Sequence, residues 1–152
     1  MTIWIDSREK PRAITKILHE FDRQGVKYFV SKLPVGDYTT LENPKRVIDR
    51  KQNLQEICGN VIQQHSRFIA ELERANDYGI ELIILCEHGG DIKTLPDVMR
   101  WVNPRLKESP LAVSGERLFK ILSTISKRYN VTFLFCDKQN TGKRIIEILS
   151  EK

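Results

Sequence analysis

Leu33-Pro-Val-Gly-Asp-Tyr38 and, twelve residues beyond Asp37, Asp49-Arg-Lys51 are the stretch on which the reading of this chain turns. The Gly36-Asp37-Tyr38 bend opens one strand, Asn43-Pro44 turns the chain over, and Arg46 to Lys51 returns as a second. Side chains alternate faces along a strand, so Asp49 and Lys51 point one way and Arg50 the other. Such a hairpin gathers two carboxylates and one ammonium into a small volume. Repulsion and desolvation oppose that gathering, and a cation that takes up the negative charge is the component the cluster calls for. The residues point to a Mg²⁺-dependent site.

Working outward, Ile3-Trp-Ile5 suits a buried strand, and Asp6-Ser-Arg-Glu9 follows at its carboxyl end, where α/β folds line a crevice. Pro11 suits a first helical turn, with Ile14, Ile17, Leu18 and Phe21 at helical spacing and Gly25 as the stop. Val26 to Leu33 predicts a second strand. After the hairpin, helical periodicity resumes at Asn53 through Leu54, Ile57, Val61, Ile62, Phe68, Ile69 and Leu72, with breaks predicted at Gly59 and His65-Ser66 and an end at Asp77-Tyr-Gly79. Ile80 to Cys86 predicts a central strand. Between Asp91 and Pro110, Pro96 and Pro104 leave room for one short helix over Leu95, Val98, Met99 and Val102. Ser114 predicts the N-cap of a helix to Arg128, with Glu116 in its first turn and Lys127-Arg128 in its last, matching the helix dipole. Val131 to Cys136 predicts a strand and Thr141 to Leu149 a closing amphipathic helix. Strands alternating with helices predict an α/β three-layer sandwich with a mixed central sheet, a single domain over 1–152.

Composition fits that picture. The 152 residues suffice for one core, and with 40% hydrophobic and 30% charged residues the chain is an ordinary globular one and not a disordered tail. A net charge of +5 and a pI near 9.2 favour an anionic partner, nucleic acid first among them. Cys58, Cys86 and Cys136 form no CxxC and no zinc spacing with histidine, and Cys86 and Cys136 lie in apolar runs where a reduced thiol packs as a small hydrophobe. Without a basic leader or a run of about 18 apolar residues, the expected location is cytoplasmic, or nuclear in a eukaryote.

Asp37, Asp49 and Lys51 fit metal-assisted phosphodiester hydrolysis. Mg²⁺ is typically held by one or two carboxylates plus substrate phosphate, and a nearby lysine orients water or offsets charge in the transition state. The residues alone leave a second reading open, in which Asp37 caps a turn and Asp49 pairs with Lys51 or Arg50 on a solvated strand. His65 and His88 have no partner at metal spacing and read as exposed or hydrogen-bonded side chains. Lys10, Arg12, Lys45, Arg46, Arg50 and Lys51 lie near the hairpin in sequence; clustered in space they form a phosphate-tracking surface. Arg100, Arg105 and Lys107 make a further basic patch, with a solvated loop as the default reading.

Taken together, Asp6-Ser-Arg-Glu9, Val35-Gly-Asp-Tyr38 and Val47-Ile-Asp-Arg-Lys51 resemble the nuclease domain of the XPF family of structure-specific endonucleases, a branch of the PD-(D/E)xK superfamily. The resemblance runs on through Arg67-Phe68 and Glu87 and implies a restriction-endonuclease-like fold. It further implies a Mg²⁺-dependent DNA endonuclease, with Mn²⁺ able to substitute, that acts at branched, flap or fork junctions in repair or recombination. Asp37 and Asp49 become the metal ligands with the Arg50 carbonyl as a third, and Lys51 the catalytic lysine. Asp6 and Glu9 assist at the edge of the site, and Arg8 contacts the phosphate or holds the carboxylates. Arg67, Lys10, Arg12 and Arg46 are the expected DNA contacts. Two departures stand out: Asp49 occupies a position where the family has Glu, and Gln55 one where it has Asp. The neighbouring Glu56 points about 100° away on a helix and is no simple substitute. The alternative function is a catalytically inactive nuclease fold that binds DNA or scaffolds a partner. Family members append a helix-hairpin-helix module that this sequence lacks, so a free-standing domain of a viral or bacterial genome is expected, as a homodimer or with a helix-hairpin-helix partner protein. Phe119, Leu122, Ile125, Ile145 and Ile148 on the last two helices are candidate dimer residues, with ordinary core as the favoured reading.

Overall fold

Alternation along the strands divides the molecule into two cores. The computed structural model describes residues 1–151, so Lys152 of the expected domain lies outside the described residues. Six strands form one sheet: β1 (Thr2–Ile5), β2 (Lys27–Val30), β3 (Tyr38–Thr40), β4 (Arg46–Lys51), β5 (Glu81–Cys86) and β6 (Val131–Phe135), in the order β2-β1-β3-β4-β5-β6. The sheet is mixed, as expected: β3 runs antiparallel to both β1 and β4, and the other neighbours are parallel. Val47 on β4, with Leu82, Ile84, Val131 and Phe133, packs under α2 (Leu54–Cys58), α3 (His65–Asp77) and α4 (Gly115–Arg128). Ile48, with Ile3, Ile5, Ile83 and Leu85, packs under α1 (Thr15–Arg23) and α5 (Thr141–Ser150) on the other face. The three layers of the predicted sandwich are therefore helices, sheet, helices.

Most element ends follow their sequence signals. Gly25 and Gly79 take positive φ just past α1 and α3, and Ser114 accepts the Arg117 amide as the N-cap of α4. A π-helical turn, Gly59–Gln63, separates α2 from α3 where the break was predicted. Two expectations are corrected. The second strand ends at Val30 rather than Leu33, because its only partner, β1, is four residues long and the hydrogen bond from Ser31 to Ile5 closes the ladder. The helix expected between Leu95 and Val102 is a 3₁₀ segment, Leu95–Arg100, followed by a second at Pro104–Lys107; both have a proline at the start. The candidate dimer residues follow their core reading: Leu122 and Ile125 are buried in one layer, Ile145 and Ile148 in the other, and Phe119 packs partly buried against the first. The sheet stands between α4 and α5, so these residues make no common surface.

The hairpin depends on Gly36. Its φ is +75°, and a Cβ there would lie 2.4 Å from Val47 Cγ1 and 3.1 Å from the Ile48 carbonyl oxygen. Gly25 shares the positive φ (+68°) but faces open space. Gly36→Ala should combine backbone strain with overpacking and cost about 2–4 kcal/mol, whereas Gly25→Ala should cost about 1–2 kcal/mol. Thermal unfolding of both variants checks this, and equal losses would mean that the close approach to β4 adds nothing.

Candidate active site

Asp37 sits one residue before β3, at the point where the chain meets the middle of β4. The Asp37 amide donates to the Ile48 carbonyl at 2.8 Å, and the Asp37 carbonyl accepts the Asp6 amide at 2.8 Å. Its carboxylate then reaches along β4, where Oδ2 accepts the Arg50 backbone N–H at 2.7 Å. Beyond Tyr38 and Ile48 there is no further ladder pairing between β3 and β4, so this side-chain bond takes the place of the next one. A residue's N–H and C=O point to the same edge of its strand. The Arg50 carbonyl therefore faces Asp37, while the Lys51 carbonyl accepts the Glu87 amide on the β5 side.

Alternation along β4 sorts the charges as expected. Asp49 and Lys51 share one face, with Lys51 Nζ 3.5 Å from Asp49 Oδ2. Asp37, Asp49 and Lys51 line a depression of about 260 Å³ together with Arg8, Glu9, Lys10, Arg50, Gln52 and Glu56. Burial, reinforced by the adjacent charges of Asp49 and Glu9, raises the Asp37 carboxyl well above the usual range. Burial opposes the charge on Lys51, but the carboxylates of Asp49, Glu56, Glu71 and Asp37 together outweigh it and hold the ammonium above its ordinary pKa. Two carboxylates and a carbonyl are hard oxygen donors of the kind Mg²⁺ accepts, and the raised Asp37 pKa shows that burial, with the neighbouring carboxylates, disfavours its charge in the absence of a cation. No group of three or more His, Cys, Asp or Glu side chains at metal-binding separation occurs among the described residues.

Arg50 occupies the opposite face, nearly buried between two carboxylates. Its Nε donates to Glu9 Oε2 at 2.8 Å and its Nη1 to Glu87 Oε1 at 2.6 Å. Tyr38 Oη donates to the same Glu9 oxygen at 2.7 Å. Glu9 thus borders the pocket but is committed to Arg50 and Tyr38.

Asp6 does not reach the pocket. Its carboxylate accepts the Leu33 amide at 2.8 Å and Arg8 Nε at 2.7 Å, and Arg8 Nη2 also donates to the Leu33 carbonyl at 3.0 Å. Burial works against that charge, yet Arg8 and the Leu33 amide hold the Asp6 carboxyl below its usual range. Asp6 therefore braces the approach to Gly36, and Arg8 is the clamp on it, its side chain 62% exposed beside the pocket.

Of the expected DNA contacts, Lys10 lines the pocket, and Arg12 lies exposed on the 3₁₀ turn Pro11–Ile14. Arg67 is exposed on α3 and lines a second depression with Lys51, Asn60, Gln64 and Glu71. Arg46 is placed elsewhere: it begins β4, five residues before Lys51, and binds Glu81 and the carbonyls of Ile148 and Glu151. It ties the sheet to the end of α5. Both histidines are hydrogen-bonded: His88 Nδ1 accepts the Leu54 amide at 3.3 Å at the start of α2, and His65 Nδ1 lies 3.1 Å from the Val61 carbonyl.

Two acidic residues join the site from helices. Gln55 faces a separate depression with Cys58 and Arg105, whereas Glu56 lines the active-site pocket, its Oε1 accepting the Gln52 amide at 3.0 Å. The 100° step along α2 thus turns Glu56, read from the sequence as no simple substitute for the missing acid, toward the pocket and Gln55 away from it. Glu71 lies beside Lys51, its pKa raised by burial and then by Asp49. Its signal in the sequence is the shared α3 face with Arg67, four residues earlier. Asn60 Oδ1, next to Lys51, is the one buried side-chain oxygen or nitrogen among the described residues without a hydrogen-bond partner.

Comparison with known proteins agrees with this geometry. The family model described as ERCC4 domain matches residues 5–149. Among solved structures, XPF from Aeropyrum pernix superposes with a TM-score of 0.68 at 16% identity, covering 98% of this chain and 63% of that one. XPF from Aeropyrum pernix in complex with DNA gives the same TM-score at 17% identity, covering 97% of this chain and 62% of that one. The chain thus spans a little under two thirds of the length of those XPF chains. No curated protein sequence matches it. The hairpin and the Asp-x-Arg-Glu turn sit on a mixed sheet that shares the fold of those XPF chains, and the match over residues 5–149 places the chain by family: it is a member of the ERCC4-domain family.

Proposed function

We propose that the chain is a Mg²⁺-dependent endonuclease that hydrolyses DNA phosphodiester bonds at branched, flap or fork junctions, with Mn²⁺ able to replace Mg²⁺. The observation that carries this reading is the meeting of Asp37, Asp49 and Lys51 in one buried pocket. The solved DNA complex of a structurally similar XPF supports DNA as the substrate, and the preference for junctions rests on family resemblance.

Asp37, Asp49 and the Arg50 carbonyl would hold the ion. When bound, it supplies Lewis-acid stabilisation of charge on the phosphoryl oxygens and makes water a stronger acid. The chain's own residues do the rest. Lys51, held charged by Asp49 and the carboxylates around it, orients the attacking water or offsets the charge that builds on the phosphate. Lys10 and Arg12 on one side and Arg67 on the other present cations to the backbone phosphates. Glu56 and Glu71 add negative charge at the rim, which strengthens the field for a cation.

Cleavage of a labelled fork by purified protein in Mg²⁺, with EDTA as control, tests the proposal. Metal-dependent cutting should vanish in Asp37→Ala and fall about 10²–10³-fold in Lys51→Ala. Tight binding without cutting in either metal would instead identify an inactive DNA-binding fold.

The metal-free protein should show the strain of the carboxylate pair. Because the folded-state pKa of Asp37 is raised, its contribution to stability falls as pH rises from the unfolded carboxylate value of about 3.9 through the folded value. Asp37→Asn should therefore raise Tm in EDTA at neutral pH by a few degrees, at about 2–4 °C per kcal/mol for this chain length, and the gain should vanish near pH 4. Mg²⁺ should stabilise the wild type and leave Asp37→Asn unchanged. A lower Tm for the variant in EDTA would show that the pair is not strained.

A further inference from the structure

Glu87 and Thr141 stand outside the pocket yet are joined to it through Arg50. Thr141, the first residue of α5 and 1% exposed, donates through Oγ1 to Glu87 Oε2 at 2.6 Å. The other Glu87 oxygen accepts Arg50 Nη1 at 2.6 Å, and Arg50 Nε donates to Glu9. Side-chain exposure is 3% for Glu87 and 7% for Arg50. The guanidinium is thus fixed on two sides, and its planar fork leaves little rotational freedom. The backbone N–H of this same residue donates to Asp37 Oδ2, and its carbonyl faces Asp37.

We infer that Glu87, oriented by Thr141, is a positioning residue for the cation site: it anchors Arg50 so that the residue-50 backbone meets Asp37, and it keeps the Arg50 charge compensated so that it does not oppose a metal ion. Two features favour this over plain packing. β3 has no ladder pairing beyond Tyr38, so the β3-side edge of residue 50 is held by the Asp37 carboxylate rather than by a strand. The Thr141 hydroxyl also lies 3.2 Å from the Lys138 carbonyl, and its single proton cannot serve both acceptors well; the shorter bond goes to Glu87. Burying an arginine with two carboxylates here is costly, and an apolar trio would pack as well. The arrangement makes α5 part of the support of the site.

The inference rests on the active-site reading above, and the experiment separates the two. Mn²⁺ is titrated calorimetrically into wild type, Thr141→Val, Thr141→Ser and Glu87→Gln of the full chain, alongside Tm, exchange of the Arg50 amide in metal-free protein, and fork cleavage. Thr141→Val should weaken Mn²⁺ binding about 10-fold and Glu87→Gln by at least as much, while Thr141→Ser, which keeps the hydroxyl, stays within about twofold of wild type. Arg50 amide exchange should quicken in Thr141→Val and Glu87→Gln. Unchanged Mn²⁺ affinity and Arg50 exchange in both variants, with or without a fall in Tm, would overturn the positioning role and leave the active-site reading standing. Wild-type protein that neither binds Mn²⁺ nor cuts DNA would overturn the active-site reading first.

Discussion

Two carboxylates set side by side, Asp49 buried and Asp37 half-buried, repel each other and lose hydration, and the elements around them are arranged so that neither can move away. Asp49 is fixed on β4, which β5 pairs along its whole length. Asp37 is fixed by both backbone groups, to Ile48 and Asp6, and by its own carboxylate on the Arg50 amide. Gly36 makes the approach possible, since no larger residue fits against Val47 and Ile48. Asp6 and Arg8 hold the incoming chain at Leu33. The fold stabilises an arrangement that its own electrostatics oppose, and that strain makes a cation the natural partner.

The sheet also partitions charge. On the face of α2 and α3, Lys51 is the only cation within salt-bridge distance of Asp49 among the described residues. On the other face, Arg50 is paired with two carboxylates, Glu9 and Glu87. Had Arg50 turned toward the pocket, its guanidinium would neutralise the pair and leave little for a metal to bind. One-residue alternation on β4 thus separates a cation that holds the structure together from one that faces the pocket beside Asp49.

Much of this was legible in the sequence, and the parts that were not have physical reasons. Period-two alternation in Arg46 to Lys51 and the apolar run Ile80 to Cys86 identified the strands that carry the site, and the mixed sheet followed. The length of β2 was set by its partner, which no local pattern reveals. Of the two acids expected at the edge of the site, Glu9 borders the pocket, whereas Asp6 turns to an amide and an arginine instead, a choice made by tertiary hydrogen bonds. Arg46 looked like a DNA contact because it is near Lys51 in sequence, yet six strand residues carry it to the far end of β4. Glu56 and Glu71 were hidden because their part depends on how α2 and α3 are rotated over the sheet. The spacing of Leu122, Ile125, Ile145 and Ile148 marked apolar helix faces without saying what covers them; the sheet does.

The central claim is that the Asp37–Asp49 pair with the Arg50 carbonyl is a cation site built for phosphodiester hydrolysis. Anomalous diffraction from crystals soaked in Mn²⁺ tests it most directly. The account predicts one strong peak bonded to both carboxylates and the Arg50 carbonyl oxygen, absent in crystals of Asp37→Asn. A peak held instead by Glu56 or Glu71 away from the pair, or no peak at saturating Mn²⁺, would contradict it.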